Sequence, residues 1–334
     1  MSNLKNIQNR FFNLHFNSTD EEFNAICMDV FHYQLQHNLV YQQYVSNLKT
    51  DIHQISHYHQ IPFLPIEFFK TQRVVSSETT NNTICFTSSG TTGQQVSKHY
   101  VNDIQLYETS FLKGFELFYG KAHQYCILAL LPNYLEREGS SLVYMCNHLI
   151  NLSKHPMSGF YLHNLDELIK TIETLKSTGQ HVLLIGVSYA LLDLAEKGVS
   201  LNHQFIVMET GGMKGKRKEL LKEELHQILK EKLQVETIHS EYGMTELLSQ
   251  AYSKQNGVFT TPPWMKILIR DVHDPKTIIN THKSGGINVI DLANLNSVSF
   301  IETKDLGKTL PNHQFEILGR FDNSDIRGCN LMVQ

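Results

Sequence analysis

From Leu165 onward the chain alternates between two hydrophobic periods, and this restricts the fold more than any other feature. A helical stretch to about Ser177 leads to the strand His181-Val-Leu-Leu-Ile185, and a second over Ala190–Lys197 leads to Gln204-Phe-Ile-Val-Met208. A charged helix follows, with Leu221, Leu225, Ile228, Leu229 and Leu233 on one face, and then a strand is expected over Val235-Glu-Thr-Ile-His239. Strands this apolar belong in a parallel sheet covered by helices on both faces. After Trp264 the pattern changes to short alternating strands, Lys266-Ile-Leu-Ile-Arg270 and Val298-Ser-Phe-Ile-Glu302, which predict a β-rich subdomain. Upstream, Asp103 to Tyr119 reads as helix and Tyr125-Cys-Ile-Leu-Ala-Leu-Leu131 as a buried strand. Phe23, Ile26, Cys27, Val30, Phe31 and Leu35 recur every three or four residues, the stripe of a helix facing a core.

A chain of 334 residues can bury one large core or two modest ones. Its net charge of −4 supplies no electrostatic reason to expect nucleic acid or an anionic membrane as partner. No segment approaches the ~20 apolar residues of a membrane-spanning helix. Met1–Arg10 lacks an apolar signal core, so a cytoplasmic protein is expected. Five cysteines (27, 85, 126, 146 and 329) are scattered without a Cys-x-x-Cys, which argues against a disulfide framework or structural zinc. Among eighteen histidines, His53, His57 and His59 cluster, but without metal-site spacing; surface or interface positions are expected.

Three segments carry chemistry. In Phe86-Thr-Ser-Ser-Gly-Thr-Thr-Gly-Gln-Gln-Val-Ser-Lys98, every residue from Thr87 to Gly93 is hydroxylated or glycine. Glycine permits positive-φ backbone, and hydroxyls with free N–H groups can converge on an anion. The strand Thr83-Ile-Cys-Phe86 would deliver this cradle, and Lys98 would follow as a point charge. It is not a Walker loop, because no Gly-Lys-Ser/Thr closes it, and ordinary turns share its composition. The second segment is Ser240-Glu-Tyr-Gly-Met-Thr-Glu246, which reads either as a site or as a helix-capping pair at Thr245-Glu246. The third is Glu302-Thr-Lys-Asp305-Leu-Gly307 with Gly319-Arg320-Phe-Asp322, which reads either as a site or as a plain turn and a surface arginine.

In this order the three segments resemble the signatures of the AMP-forming adenylate synthetases. Ile61-Pro-Phe-Leu-Pro-Ile-Glu-Phe-Phe-Lys70, Tyr134-Leu-Glu-Arg-Glu-Gly-Ser-Ser-Leu142, Glu209-Thr-Gly-Gly-Met-Lys214, Pro262-Pro-Trp-Met265 and Arg327-Gly-Cys329 narrow the likeness to the acyl-protein synthetase (LuxE-type) family. The similarity runs from about residue 60 to the end. It implies an α/β adenylate-synthetase-like body of parallel sheets flanked by helices, with a β-rich subdomain and no C-terminal lid domain. Residues 1–60 are then a helical region packed on the body, 61–320 the adenylate-forming domain, and 321–334 a short tail.

The implied activity joins a carboxylic acid, a fatty acid by the family's habit, to AMP from ATP with Mg²⁺. The acyl group would then pass to Cys329 and on to a partner protein such as an acyl reductase or carrier protein. The resemblance assigns Thr87, Ser88, Ser89, Gly90, Thr91, Thr92 and Gly93 to the β- and γ-phosphates, with Lys98 a weaker candidate. It assigns Glu246 to Mg²⁺, an ion that prefers oxygen ligands, and Thr245 to the α-phosphate. Tyr242 would cover adenine, Asp305 would accept the ribose hydroxyls, and Arg320 would contact ribose or phosphate. Gly211 and Gly212 permit close approach to a flat ring or simply a sharp turn. The loop is expected at the C-terminal strand edge of the parallel sheet, facing Glu246 and Asp305. Arg327 beside Cys329 would favour the thiolate. Two alternatives stay open: a compact acid–CoA ligase similar to phenylacetate–CoA ligases, indifferent to Cys329, and a non-catalytic scaffold that forms no adenylate.

Overall fold

The computed structural model of the protein describes residues 2–76, 82–88, 95–131, 139–161, 164–211, 217, 220–279 and 283–321. Three helices come first, α1 (Ser2–Phe12), α2 (Asp20–His37) and α3 (Leu39–Asn47). A reciprocal capping box between Thr19 and Glu22 starts α2. The expected stripe is buried from Phe23 to Phe31, but Gln34 takes the last buried position and Leu35 stays half-buried. The reason is hydrogen bonding: Gln34 Nε2 donates to the carbonyls of Asn294 and Leu295, and its Oε1 accepts from the Ser299 N–H. The helix is thereby tied to the β-rich part of the chain.

Next come β1 (Leu64–Pro65), α4 (Phe68–Thr71), β2 (Ile84–Thr87) and β3 (Lys98–Val101). The alternating region supplies α5 (Ile104–Tyr119), β4 (Cys126–Leu130), α6 (Ser141–Ser153), β5 (Gly159–Phe160), α7 (Leu165–Lys176), β6 (Val182–Val187), α8 (Ser188–Ala195), β7 (Phe205–Thr210), α9 (Lys222–Leu233) and β8 (His239–Tyr242). The remaining strands are β9 (Ala251–Ser253), β10 (Val258–Thr260), β11 (Met265–Arg270), β12 (Ile278–Ile279), β13 (Gly285–Asp291), β14 (Phe300–Leu310) and β15 (Gln314–Arg320).

β5, β4, β6, β7 and β8 pair in parallel, in that order, and β4 and β6 are buried at every position. β9 then joins β8 antiparallel, and the sheet continues without a break through β10, β15, β14, β13, β11 and β12. The parallel strands and the β-rich part are therefore one mixed sheet rather than adjoining sheets.

Three expectations are corrected. The Ser/Thr/Gly loop does not spring from the parallel sheet: β2 and β3 form their own antiparallel hairpin, Phe86 opposite His99 and Thr87 opposite Lys98. The strand expected at 235–239 begins at His239, because left-handed Gln234 (φ 56°) closes α9 and the chain needs the next residues to turn back. Asp305-Leu-Gly307 is no turn. It lies inside β14, where a Cβ on Gly307 would stand 2.5 Å from the Glu316 carbonyl oxygen, so the strand pairing itself demands glycine.

Candidate functional site

Backbone alternation at the end of β8 sends Glu241 to one face of the sheet and Tyr242 to the other. Tyr242 Oη donates to Asp305 Oδ2 at 2.8 Å. Its ring stands edge-on to Phe259 and Phe315 and is only 8% exposed, and its hydroxyl holds the Asp305 carboxylate in place. Asp305 on β14 is the cross-strand partner of Arg320 at the end of β15, and Arg320 Nε lies 3.3 Å from Asp305 Oδ1. Burial raises the Asp305 carboxyl above its ordinary range, opposed by Arg320, the Tyr242 hydroxyl and Arg270. Arg320 itself is 71% exposed.

No helix follows Tyr242, which removes the capping alternative for Thr245 and Glu246. Instead the segment is gripped from outside. His99 Nδ1 bonds the Thr245 carbonyl at 2.9 Å, and Asn294 Nδ2 donates to the Glu246 carbonyl at 2.7 Å. The N–H groups of Leu248 and Ser249 both donate to Asp291 Oδ2 at 2.9 Å. Ser249 Oγ and the Ala293 N–H complete the set on Asp291 Oδ1. Burial pushes this carboxyl up to about 6 against those donors.

The Glu246 side chain is buried, and burial raises its carboxyl; a hydrogen bond from Ser97 and the charges of Arg320 and Lys70 work the other way. It forms no ion pair within 4 Å with any described residue. A buried carboxylate short of a counter-charge suits a hard cation, the chemistry expected of a magnesium ligand. Arg320 is felt by both Glu246 and Asp305, so these two motifs meet at one place.

The hairpin brings the loop's flanks to the same place. Ser97 and His99 share the face turned to Thr245 and Glu246, while Lys98 between them points away and is exposed. At the other flank the Ser88 N–H donates to the Ser97 carbonyl at 3.1 Å, and the Thr87 N–H to the Gly139 carbonyl at 2.8 Å. Ser89, Gly90, Thr91, Thr92 and Gly93 lie outside the described residues, as do Gly212, Tyr134, Glu136, Arg137 and Cys329. Gly211 ends β7 in the left-handed region, φ 66°.

Ser97, His99, Asp291, Asn294 and Lys70 were not legible as site residues. The one available signal was polarity out of place: Asp291 and Asn294 interrupt an apolar run, and such buried polar groups need partners. On the opposite face of β8, Glu241 is also buried. Burial pushes its carboxyl up to about 7, with the Thr210 hydroxyl as donor and Glu209 adding like charge. Glu209 resists the same burial because Lys222 Nζ sits 2.5 Å away, which holds it down to about 2.

A family model described as acyl-protein synthetase, LuxE, matches residues 5–334, and so takes in the N-terminal helices that the motifs left out. Among solved structures, 2-hydroxyisobutyryl-CoA ligase in the postadenylation state with 2-HIB-AMP superposes with a TM-score of 0.69 at 11% identity, over 91% of this chain and 68% of that one. ATP-bound MatB from Rhodopseudomonas palustris gives 0.54 at 14% identity, over 71% and 47%. O-succinylbenzoate coenzyme A synthetase (MenE) from Bacillus subtilis, in complex with ATP and magnesium, gives 0.50 at 17%, over 71% and 49%. The chain spans about half the length of the ATP-bound MatB structures it matches. The likeness is one of fold, the mixed α/β body of adenylate-forming ligases. The comparison with curated proteins gave no match.

Proposed function

Because the chain belongs to the LuxE acyl-protein synthetase family, we propose that it activates a carboxylic acid with ATP and passes the acyl group through Cys329 to a partner protein. The observation that carries this reading is the meeting of four distant motifs, the β2–β3 hairpin, Thr245-Glu246, Asp305 and Arg320, around one buried carboxylate. An oxygen of the acid attacks the α-phosphorus, the bond to the bridging oxygen of pyrophosphate breaks, and acyl-AMP forms. Such a step needs alignment and charge neutralisation more than covalent help.

Thr245 and Arg320 serve the phosphate side of this reading, and Asp305, aimed by Tyr242, accepts the ribose hydroxyls. The loop Thr87–Gly93 holds the outer phosphates, and the two glycines Gly211 and Gly212 would admit the base. Glu246 would hold Mg²⁺, which supplies charge neutralisation across the phosphates. Lys98 faces away from Glu246, so it contributes to the loop's field at most.

In the second step the sulfur of Cys329 attacks the acyl carbon, its proton passes to solvent, and AMP leaves. Support comes from the other four cysteines. Burial pushes Cys27 and Cys146 far above the ordinary thiol range, Cys126 up to about 11, and half-buried Cys85 upward as well. None is a ready thiolate. Labelled acid with ATP, followed by a denaturing gel and hydroxylamine, tests the assignment. Label should form on the wild type and vanish in Cys329→Ser. Thioester label that persists in Cys329→Ser would move the acceptor to another cysteine, with Cys85 beside the loop the first to check. Unlabelled protein with brisk acyl-CoA formation would favour CoA as acceptor instead.

A further inference from the structure

β3, the strand that leaves the Ser/Thr/Gly loop, carries an imidazole with no free valence. His99 is 1% exposed, its ring edge-on to Phe69. Nδ1 lies 2.9 Å from the Thr245 carbonyl oxygen and Nε2 lies 2.9 Å from Ser297 Oγ. A carbonyl only accepts, so Nδ1 carries the hydrogen and Nε2 accepts from the Ser297 hydroxyl. Burial lowers its pKa to about 4 and keeps the ring neutral, while the Thr245 carbonyl decides which nitrogen holds the hydrogen.

The Thr245 carbonyl belongs to the peptide plane that enters Glu246. The plane that leaves it is fixed by Asn294 at 2.7 Å. With both planes pinned, only side-chain torsions of Glu246 remain, and Ser97, two residues before His99 on the same face of the strand, bonds the carboxylate. The hairpin that bears the loop therefore grips both the backbone and the side chain of Glu246.

We propose that His99 is a positioning residue: its Nδ1–H orients the Thr245–Glu246 peptide and so fixes where the carboxylate meets the cation of the bound nucleotide. This rests on reading Glu246 as the carboxylate for magnesium-bound ATP. It also joins two parts of the site, since displacement of the loop hairpin would carry the carboxylate with it.

Two substitutions separate positioning from plain packing. In His99→Asn the amide nitrogen can stand where Nδ1 stood and keep the Thr245 bond. In His99→Gln the amide reaches toward Ser297 and the Thr245 bond is lost. Titration calorimetry of the full chain with ATP, with magnesium and with EDTA, reads the difference. His99→Asn should bind ATP with magnesium within about threefold of wild type, whereas His99→Gln should lose ~10-fold or more, the scale of one buried hydrogen bond. Binding in EDTA should move less than about twofold in both, because no cation then depends on the carboxylate.

Equal losses in the two variants, with and without magnesium, would overturn the positioning role and leave His99 as packing. So would wild-type affinity in His99→Gln. Glu246→Gln, run alongside, separates the two levels. If it abolishes the magnesium dependence and His99→Gln leaves that dependence at its wild-type size, only the positioning role falls. If it leaves that dependence intact, the reading of Glu246 falls and the role of His99 with it.

Discussion

The two acidic corners of the site are built differently. Around Asp305 the protein supplies a hydroxyl at 2.8 Å and a guanidinium at 3.3 Å. Around Glu246 it supplies burial, one side-chain hydrogen bond from Ser97 and the residue's own N–H, with cations felt only at longer range. A carboxylate aimed by fixed donors is a shaped acceptor, suited to the hydroxyls of a sugar. A carboxylate kept dry and short of positive charge has its burial offset by a proton or by a cation, and the second is what the proposed magnesium role of Glu246 requires. Asp291 makes the contrast plainer: it is as deeply buried as either, but four donors saturate it, and its work is structural.

The largest test of this contrast is Glu246→Gln. Replacing the anionic ligand with a neutral isostere should lower adenylate formation about a hundredfold or more without unfolding the chain. An equally active variant would remove the cation seat. Asp305→Asn should act on the other corner, raising the KM for ATP by about tenfold or more with a smaller change in kcat, since a charged acceptor of two hydroxyls is lost. If kcat falls while KM holds, the two corners do not divide the work in this way.

Tyr242→Phe should cost less, about three- to tenfold in the KM for ATP, as one hydrogen bond to a charged group disappears. Arg320→Ala should be milder still in moderate salt, because an arginine this exposed is screened.

Glu241 extends the comparison to stability. Burial lifts its carboxyl from an ordinary 4.5 to about 7. A carboxyl raised in the folded state favours folding while protonated, so stability should fall as pH rises through that window. Glu241→Gln should flatten this slope, leaving the Tm near wild type at pH 4 and raising it at pH 8. A parallel pair of Tm–pH curves would show that Glu241 does not titrate as described.

The parallel half of the sheet was legible because its signals are local and repeated. β4, β6, β7 and the helices α7 and α8 are apolar runs and amphipathic periods, and they fall within a few residues of their expected bounds, whereas α6 carried no such expectation. The antiparallel half was harder. Asp305 and Gly307 look like turn residues, yet pairing with β13 and β15 draws them into a strand, an override of local preference by tertiary context. The loop's placement failed for the same reason. Ile84–Thr87 reads like any short strand, and nothing local says that its partner is Lys98–Val101 and not the main sheet. Asp305, Arg320, Tyr242 and Glu246 could be named as candidates because they sit in motifs. His99, Asp291 and Asn294 were missed because their partners lie up to 198 residues away and only the fold joins them.

If these motifs form one adenylation site, pyrophosphate exchange should report it. Wild-type protein, ATP, magnesium and labelled pyrophosphate are incubated with a panel of aliphatic and aromatic acids, with and without CoA. Label should return to ATP only when a suitable acid is present, without any need for CoA, and should do so undiminished in Cys329→Ser. Exchange with no acid in the panel, from a protein that is folded and stable, would contradict it.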